Sequence, residues 1–384
     1  MTLKLYDLDS HLSSFDAVVL SCAADDGCWQ IVLDQTAFFP EGGGQAADTG
    51  TLDDVHVLDV RETGDAIVHF TDSPLPVGST VKGVLDWNKR FRRMQEHSGE
   101  HILSGLVHRL WGYNNVGFHL GDETVTMDYD GELSHQQLSE LERLANEAVW
   151  KNVPITAEYP PEDRLSGLEY RSKLDLTENV RIVTIEGYDV CACCAPHVSH
   201  TGEIGAIKII DSMRHRGGVR LTILCGSDAL RQYQMLFREA SALSNLLNVP
   251  KDQLVPAVER LFSERDALES ALAAREQKLN ALRIKAMPDA GKNIVLIDQF
   301  DDPDAMRELV NLGMERAAGV CAAFSGSNEA GYRYIIGSKT IDLRSRAREI
   351  NAALDGRGGG RPTMIQGSCA ASASVIKAYF ELFA

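Results

Sequence analysis

The sequence predicts a multidomain α+β protein, and three observations support this fold class. The chain has 384 residues, more than one hydrophobic core usually serves, and 44% of them are hydrophobic, as in ordinary globular proteins. Apolar residues alternate in short stretches up to residue 88 and recur at helical spacing from residue 90. We therefore expect a small β-barrel (1–88), an α+β region (89–226), a helical linker (227–288) and a small α/β domain (289–384).

Strands dominate the first region, and helices enter in the second. Segments such as AVVLSC (17–22) and AIVHF (66–70) are separated by turn residues at the spacing that is typical of small barrels or sandwiches. From Arg90 the apolar positions follow one face of a helix, and Gly112 lies just past its expected end. A second helix is predicted from Ser134 through Trp150, followed by further strands.

The linker is predicted to contain a long helix from Leu254 to Met287, ended by Pro288. Its apolar seam alternates steps of four and three and contains two arginines: Leu254, Val258, Leu261, Arg265, Leu268, Leu272, Arg275, Leu279 and Leu282. The seam needs a partner, which could be the preceding helix, a second copy of the chain or a neighbouring domain. The last domain is expected to combine strands with two helices, the second of them starting at Cys369.

Charge and cysteine usage limit the function classes. The net charge of −17 argues against general nucleic-acid binding, because such binding depends on Lys and Arg. Two local basic clusters could be solvated surface charge or a polyanion-binding surface: Lys89, Arg90, Arg92 and Arg93, then Arg214, His215, Arg216 and Arg220. Scattered cysteines, and the lack of a signal peptide or an apolar run of membrane length, predict a reduced, cytosolic protein.

Two pairs of possible metal ligands, each with a spacing of four residues, are the most informative feature of the chain. His97 and His101 would point the same way from one helix. Cys193 and His197 flank Pro196, so a tight loop must bring them together. Three imidazoles and one thiolate suit zinc in type and number, and we predict a zinc site at these four residues.

Two alternatives remain open at this point. Four protein ligands are typical of a closed structural zinc site, whereas catalysis normally needs an exchangeable position. The order His97, Glu100, His101 also matches the H-x-x-E-H pattern of a class of metallopeptidases, in which the glutamate is the general base and Glu178 could be a third ligand. That interpretation leaves Cys193 and His197 without a role.

Four separated segments resemble alanyl-tRNA synthetase, in the same order and at similar spacing. They are TAFFPEGGGQAADTG (36–50), HSGEHILSG (97–105), CCAPHVSHTGEIG (193–205) and GRGGGRPTMIQG (356–367). The chain begins at the barrel segment, with no room for an aminoacylation core. It is therefore identified as similar to the free-standing alanyl-tRNA editing proteins (AlaX family) in their long form, over essentially its whole length.

The resemblance implies ATP-independent hydrolysis of the ester that links a wrong amino acid to alanine tRNA, chiefly serine, with glycine as a further candidate. Zinc ligands carry over to His97, His101, Cys193 and His197, and Thr36 and Gln45 match family residues that recognise the serine hydroxyl and line the reaction site. Candidate tRNA contacts are Arg90, Arg92, Arg93, Arg216, Gly359, Gly360 and Arg361. A homodimer through the coiled segment or the C-terminal domain is the second expected partner.

The chain departs from the family at two places. CCAPH stands where CGGTH is common, and Glu100 occupies a variable position. His200 could be a solvated loop residue, a group that orients a ligand, or a proton carrier. Thr36 is the expected hydroxyl-recognition group, because a polar pocket rejects an analogue that lacks the OH, and the alternative is an ordinary strand threonine. A non-catalytic tRNA-binding module with structural zinc is the alternative function.

Overall fold

A computed structural model describes residues 2–121, 124–172, 180–286, 293–300 and 302–383. The chain separates into two compact units, Met1–Ala242 and Leu243–Ala384. The α+β class is confirmed, since helices accompany several separate sheets. Among the described residues, none of the helices combines the length and the apolar character that a membrane span requires.

Strands from the N-terminal region close into a six-stranded barrel in the order β2-β3-β7-β6-β5-β8, and β1 pairs with β4 beside it. On β8 every second residue is buried, as expected for a strand with one face on a core. The elements are β1 (Leu3–Lys4), α1 (Leu5–Leu8), β2 (Ser14–Asp25), β3 (Cys28–Leu33), β4 (Gln35–Thr36), β5 (Gly50–Leu52), β6 (Val55–Thr63), β7 (Ala66–Thr71) and β8 (Thr80–Leu85).

A long central helix, α2, begins the second part of the first unit. Asp86 caps its start by accepting from the Lys89 N–H (3.2 Å), and Gly112 ends it in the left-handed region (φ 72°). The elements are α2 (Trp87–Trp111), β9 (Asn115–Leu120), β10 (Val125–Tyr129), α3 (His135–Lys151), β11 (Ile155–Glu158), α4 (Glu162–Leu165), β12 (Ile182–Ile185), β13 (Asp189–Ala192), a 3-10 turn (Thr201–Ile204), β14 (Ile207–His215) and β15 (Gly218–Cys225).

Two sheets and the helix α3 pack around α2 and form the core of this region with it. The sheet β14-β15-β10-β9 and the smaller sheet β11-β12-β13 are both antiparallel. Leu103, Leu106 and Val107 of α2 share one buried cluster with Leu141 and Ala145 of α3. The predicted second helix is present: Ser134 and Gln137 form a capping box at the start of α3.

The chain continues through α5 (Gly226–Leu247) and the long helix α6 (Leu254–Lys285), whose cap residue is Ala286. The predicted terminators Met287 and Pro288 lie outside the described residues. Within the second unit, the Asn280 amide donates to the Ala305 carbonyl (3.1 Å) and joins α6 to the following helix. Much of the predicted seam, including Leu268, Leu272 and Leu282, is exposed.

In the described part of the second unit, a five-stranded sheet in the order β16-β17-β18-β20-β19 is accompanied by three further helices. Its elements are β16 (Ile294–Asp298), α7 (Pro303–Met314), β17 (Val320–Ser327), β18 (Gly331–Ser338), α8 (Leu343–Ala353), β19 (Gly356–Arg361), β20 (Met364–Cys369) and α9 (Ala373–Leu382). In this sheet only β16 and β17 pair in parallel. The domain therefore has a mostly antiparallel sheet, unlike the parallel sheet of an α/β domain. Cys369 ends β20, and the last helix starts at Ala373 after the Ser372 cap.

Candidate metal centre

The four predicted ligands lie together in the first unit. His97 and His101 stand one turn apart on α2, and Cys193 and His197 lie on the loop that follows β13. One ligand atom from each residue lies within 4.8 Å of all the others. The Cys193 Sγ is 3.5 Å from His97 Nε2 and 3.4 Å from His197 Nε2. The four residues can therefore hold one metal ion.

The Nδ1 of each histidine is held by an oxygen atom on another residue. The pairs are His97 with Gln45 Oε1 (3.0 Å), His197 with Ser98 Oγ (3.0 Å) and His101 with Asp189 Oδ2 (2.8 Å). Gln45 Oε1 and the Asp189 carboxylate can only accept, so they place the hydrogen of His97 and of His101 on Nδ1, and Ser98 orients the His197 ring. All three Nε2 atoms are thereby left for the centre, and this supports a metal site rather than a chance cluster of histidines.

Electrostatics favour the metal-binding forms of Cys193 and His197. Burial alone would raise the pKa of the Cys193 thiol, but His97 and His197 outweigh it, and the pKa lies well below its usual range. Burial lowers the pKa of His197 to about 3. For His101, burial lowers the pKa, but hydrogen bonds to Asp189 and Cys193 outweigh it and hold the pKa well above its usual value. A thiolate and a neutral imidazole are the forms that coordinate metals, and a Cys/His₃ set is typical of zinc.

Asp189 and Arg171 support His101 from behind, and sequence reasoning missed both. Arg171 binds Asp189 through two hydrogen bonds, from Nε to Oδ1 (2.7 Å) and from Nη2 to Oδ2 (2.8 Å). Burial works against ionisation of Asp189, but Arg171 and His101 outweigh it and lower its pKa. The sequence signal for Asp189 was strand alternation. Asp189 and Cys191 lie on the same buried side of β13, and Cys193 follows at the next position of the same alternation.

Gln45 is the predicted reaction-site residue that the structure places at the centre. Its Oε1 accepts from His97, while its Nε2 is buried and has no hydrogen-bond partner among the described residues. It closes a glycine turn in which Gly43 (φ 61°) and Gly44 (φ 83°) adopt left-handed conformations. A Cβ on Gly44 would lie 2.9 Å from the Phe118 carbonyl oxygen, so glycine lets this turn approach the Phe118 strand.

Thr36 is fully buried and has its hydrogen-bond partners in the barrel region. Its Oγ1 lies 2.8 Å from His69 Nε2 and accepts from the Phe38 N–H (3.1 Å). The two predicted reaction-site residues therefore differ: Gln45 contacts a predicted metal ligand, and Thr36 contacts a barrel histidine.

An N-terminal segment, Asp7 to His11, holds the loop that carries Cys193 and His197. Ser10 Oγ donates to the His197 carbonyl (2.7 Å), and His11 Nε2 lies 2.7 Å from Glu203 Oε2. Arg181 donates to the carbonyls of Cys193 (3.1 Å) and Ala195 (2.9 Å), and its Nε is 3.3 Å from Asp7 Oδ1. The sequence carried no signal for these contacts, because the partners are far apart in the chain.

Three arginines of the first basic cluster are buried or largely buried and form no exposed basic surface. Arg90 is fully buried, pairs with Asp48 and donates to the Ser10 carbonyl (3.1 Å). Arg93 is buried and donates to the Ala47 carbonyl (2.6 Å), while the largely buried Arg92 pairs with Asp228. These cations face carboxylates and carbonyls inside the protein, because the face of α2 that carries them packs against the barrel and the start of α5.

The other candidate tRNA contacts remain accessible. Arg216 is exposed, with φ 47°, at the turn between β14 and β15. Gly359, Gly360 and Arg361 lie on β19, the edge strand of the C-terminal sheet, rather than in a tight turn.

Glu100 lies beside the centre in a buried network. Its Oε1 accepts from Ser104 Oγ (2.6 Å) and Asn115 Nδ2 (2.5 Å), and its Oε2 is 3.9 Å from His101 Nε2. Glu178, the third ligand of the peptidase alternative, lies outside the described residues. His200 is exposed at the start of the 3-10 turn, where its backbone N–H donates to Glu203 (2.9 Å).

Two family models relate parts of the first unit to domains of aminoacyl-tRNA synthetases. Residues 180–221 match the threonyl and alanyl tRNA synthetase second additional domain, and residues 13–89 match the model for class II (A) tRNA synthetases. Alanine–tRNA ligase of Pyrococcus abyssi is 32% identical over 95% of this chain, which spans 42% of that protein. The chain thus covers about two fifths of the length of this synthetase.

Alanyl-tRNA editing protein Aarsd1 matches along both chains. The Rattus norvegicus protein is 27% identical and the Danio rerio protein 29%, each over 94% of this chain and 92% of its own length. The C-Ala domain of Aquifex aeolicus alanyl-tRNA synthetase is 23% identical over 23% of this chain and 87% of its own, with a TM-score of 0.21. The resemblance found in the sequence is confirmed, since the chain is similar to alanyl-tRNA editing proteins along nearly its whole length.

Proposed function

We propose that the chain hydrolyses, in trans, the ester that joins a wrong amino acid to the 3′ end of alanine tRNA. Serine is the main proposed substrate and glycine a further one. Similarity to editing proteins over 94% of the chain supports the reaction class. We place this reaction in the cytosol, with zinc as the metal.

The carrying observation is the set of three hydrogen bonds that fix the histidine rings. Because Gln45, Ser98 and Asp189 occupy the three Nδ1 atoms, the Nε2 atoms and the Cys193 Sγ would hold the zinc. Zinc bound there supplies Lewis acidity toward an ester oxygen. An aminoacyl ester is already labile, so the protein mainly has to orient it and stabilise its developing charge.

Gln45 is the proposed orienting group. Its amide is fixed by His97, and its buried N–H donors have no partner among the described residues. Leaving a buried donor without a partner costs about 1–3 kcal/mol, so a substrate oxygen that accepts from Gln45 Nε2 would recover that free energy. Thr36 is the proposed group for the serine hydroxyl.

The test is deacylation of alanine tRNA charged with serine, glycine or alanine, with metal content measured on the same sample. We expect serine release while the alanyl ester persists. Cys193→Ala should lose both metal and activity, whereas Cys22→Ala, a change at a partly buried barrel cysteine away from the cluster, should keep both. No serine release at enzyme excess would refute the proposal.

A second candidate is a non-catalytic tRNA-binding module, favoured by the complete set of four protein ligands, which is typical of structural zinc. It predicts tRNA binding without deacylation, and unfolding when a chelator removes the metal. In both cases tRNA is the proposed partner, with Arg216 and the Gly359–Arg361 strand as contacts.

We also propose a homodimer, because the exposed apolar seam of α6 needs a partner.

A further inference from the structure

His69 is a fully buried imidazole in the barrel wall that the metal centre does not use. It lies on β7, paired with Ile31 of β3 and Val60 of β6. Its ring meets the edge of Phe38, with centroids 5.6 Å apart, and its neighbours form the apolar barrel core. A polar ring at such a position is costly unless both of its nitrogen atoms are hydrogen-bonded.

The partner of Nδ1 fixes the tautomer of this ring. His69 Nδ1 is 3.2 Å from the Ile31 carbonyl oxygen, which can only accept, so Nδ1 carries the hydrogen. Burial lowers the pKa of His69 to about 4, so the ring is neutral near pH 7. In a neutral ring with the hydrogen on Nδ1, Nε2 is a hydrogen-bond acceptor.

The Thr36 hydroxyl therefore has its only hydrogen committed. Thr36 Oγ1 is 2.8 Å from His69 Nε2, so the hydroxyl donates to the ring. Its oxygen already accepts from the Phe38 N–H at 3.1 Å. A hydroxyl has one hydrogen and two lone pairs, so what remains for a third partner is one acceptor position.

We propose that His69 is a specificity-determining positioning residue, which makes Thr36 a hydrogen-bond acceptor and so selects an aminoacyl group that brings its own O–H donor. The inference rests on the proposed function, in which Thr36 faces the amino-acid side chain. A β-hydroxyl, as in serine, donates to the free lone pair, whereas the methyl of alanine and the hydrogen of glycine cannot. Discrimination then follows from the direction of the hydrogen bond as well as from its presence.

Three variants test this role. His69→Leu removes the acceptor, so the Thr36 hydrogen is released and the direction of its bond is no longer fixed. His69→Gln should restore function, because its amide N–H can donate to Ile31 and its amide oxygen can accept from Thr36. His56→Leu is the matched control, since His56 is an exposed histidine of the same barrel, paired with Asp72.

The activity readout is the ratio of kcat/KM for the serine ester to that for the glycine ester. His69→Leu should lower this ratio about tenfold, the effect of one lost neutral hydrogen bond, through a higher KM for the serine ester. Metal content should be unchanged, and His69→Gln and the control should keep the wild-type ratio. An unchanged ratio in His69→Leu, or an equal loss on both esters, overturns the inference.

A second measurement works even if His69→Leu does not fold. The ¹⁵N spectrum of the wild-type ring should show a hydrogen on Nδ1 and none on Nε2, and Thr36→Val should shift the Nε2 signal. A hydrogen on Nε2 overturns the inference. Failure of the proposed function is recognised separately, because the wild type would then release none of the amino acids.

Discussion

Replacing Asp189 by asparagine tests whether the metal centre depends on the groups behind its ligands. Asp189 is buried between His101 Nδ1 (2.8 Å) and the guanidinium of Arg171 (2.7 and 2.8 Å). Asparagine keeps the shape of the side chain but removes its charge. The substitution therefore weakens the orientation of His101 and leaves Arg171 without its counter-ion.

Both effects have an expected size. Loss of a carboxylate that orients a metal-binding histidine usually lowers metal affinity about 10–100-fold. An uncompensated buried charge costs about 3–5 kcal/mol of folding free energy, and we expect the lower end because the Arg171 side chain is 16% exposed. Asp189→Asn should thus bind zinc about 10–100-fold more weakly and lose about 3 kcal/mol of stability.

Asp128→Asn is the matched control, because Asp128 also binds an arginine, Arg220, through two hydrogen bonds of 2.6 and 2.7 Å. That pair is more exposed and touches no predicted ligand, so its loss should cost about 1 kcal/mol or less and leave zinc affinity unchanged. The assays are competition with a chelator and urea unfolding. Wild-type zinc affinity in Asp189→Asn, or equal destabilisation by both variants, would refute the reasoning.

Four further predictions concern Gln45, two arginines, His69 and the apolar seam of α6. Gln45→Ala should retain the metal and lose most deacylation, measured by serine release with metal analysis; loss of the metal instead would assign Gln45 to ligand support alone. Arg90→Met should lower the midpoint of urea unfolding without changing tRNA affinity. Arg216→Ala should weaken tRNA binding and reduce its salt dependence, and the tRNA affinities of both variants are measured by titration at several salt concentrations. The pKa of His69 is about 4 in the folded state and about 6.5 in the unfolded state. Its contribution of roughly 3 kcal/mol to the free energy of unfolding is therefore complete above pH 6.5 and lost as pH falls to about 4. In urea unfolding, His69→Gln should lack this loss of stability between pH 6.5 and 4, and an identical loss would contradict the prediction. Leu268→Glu on the exposed seam should convert a dimer into a monomer in sedimentation, and an unchanged dimer would place the interface elsewhere.

The sequence predicts those features that depend on local residue spacing or on residues at the ends of a helix. His97 and His101 follow from helical periodicity, and the end of α2 and the start of α3 follow from Gly112 and Ser134, since caps and stops are local signals. The Asp86 cap places the start of α2 at Trp87, three residues before the predicted Arg90. The two ligand pairs are assigned to one metal site because three imidazoles and one thiolate together suit zinc. This assignment needs no knowledge of the path of the chain between them.

What the sequence could not predict depends on contacts between distant segments. A run of arginines before a helix suggests an exposed basic surface, yet Arg90 is fully buried beside Asp48, because α2 packs against the barrel. Burial of a charged side chain is decided by the tertiary partner, which no local pattern encodes. The same reason hides Arg171, whose role follows from Asp189, and His69, whose role follows from Thr36.

The N-terminal stretch before the barrel holds the loop that carries the second predicted ligand pair. Cys193 and His197 lie on a loop outside helices and strands, so the backbone conformation there has few internal hydrogen bonds. Arg181, held by Asp7, fixes the carbonyl of Cys193, and Ser10 fixes the carbonyl of His197. The first pair is tied to the same segment, because Arg90 on α2 donates to the Ser10 carbonyl. One short N-terminal stretch, which precedes the first barrel strand, thus contacts both halves of the candidate metal centre and ties their orientation to the N-terminal region.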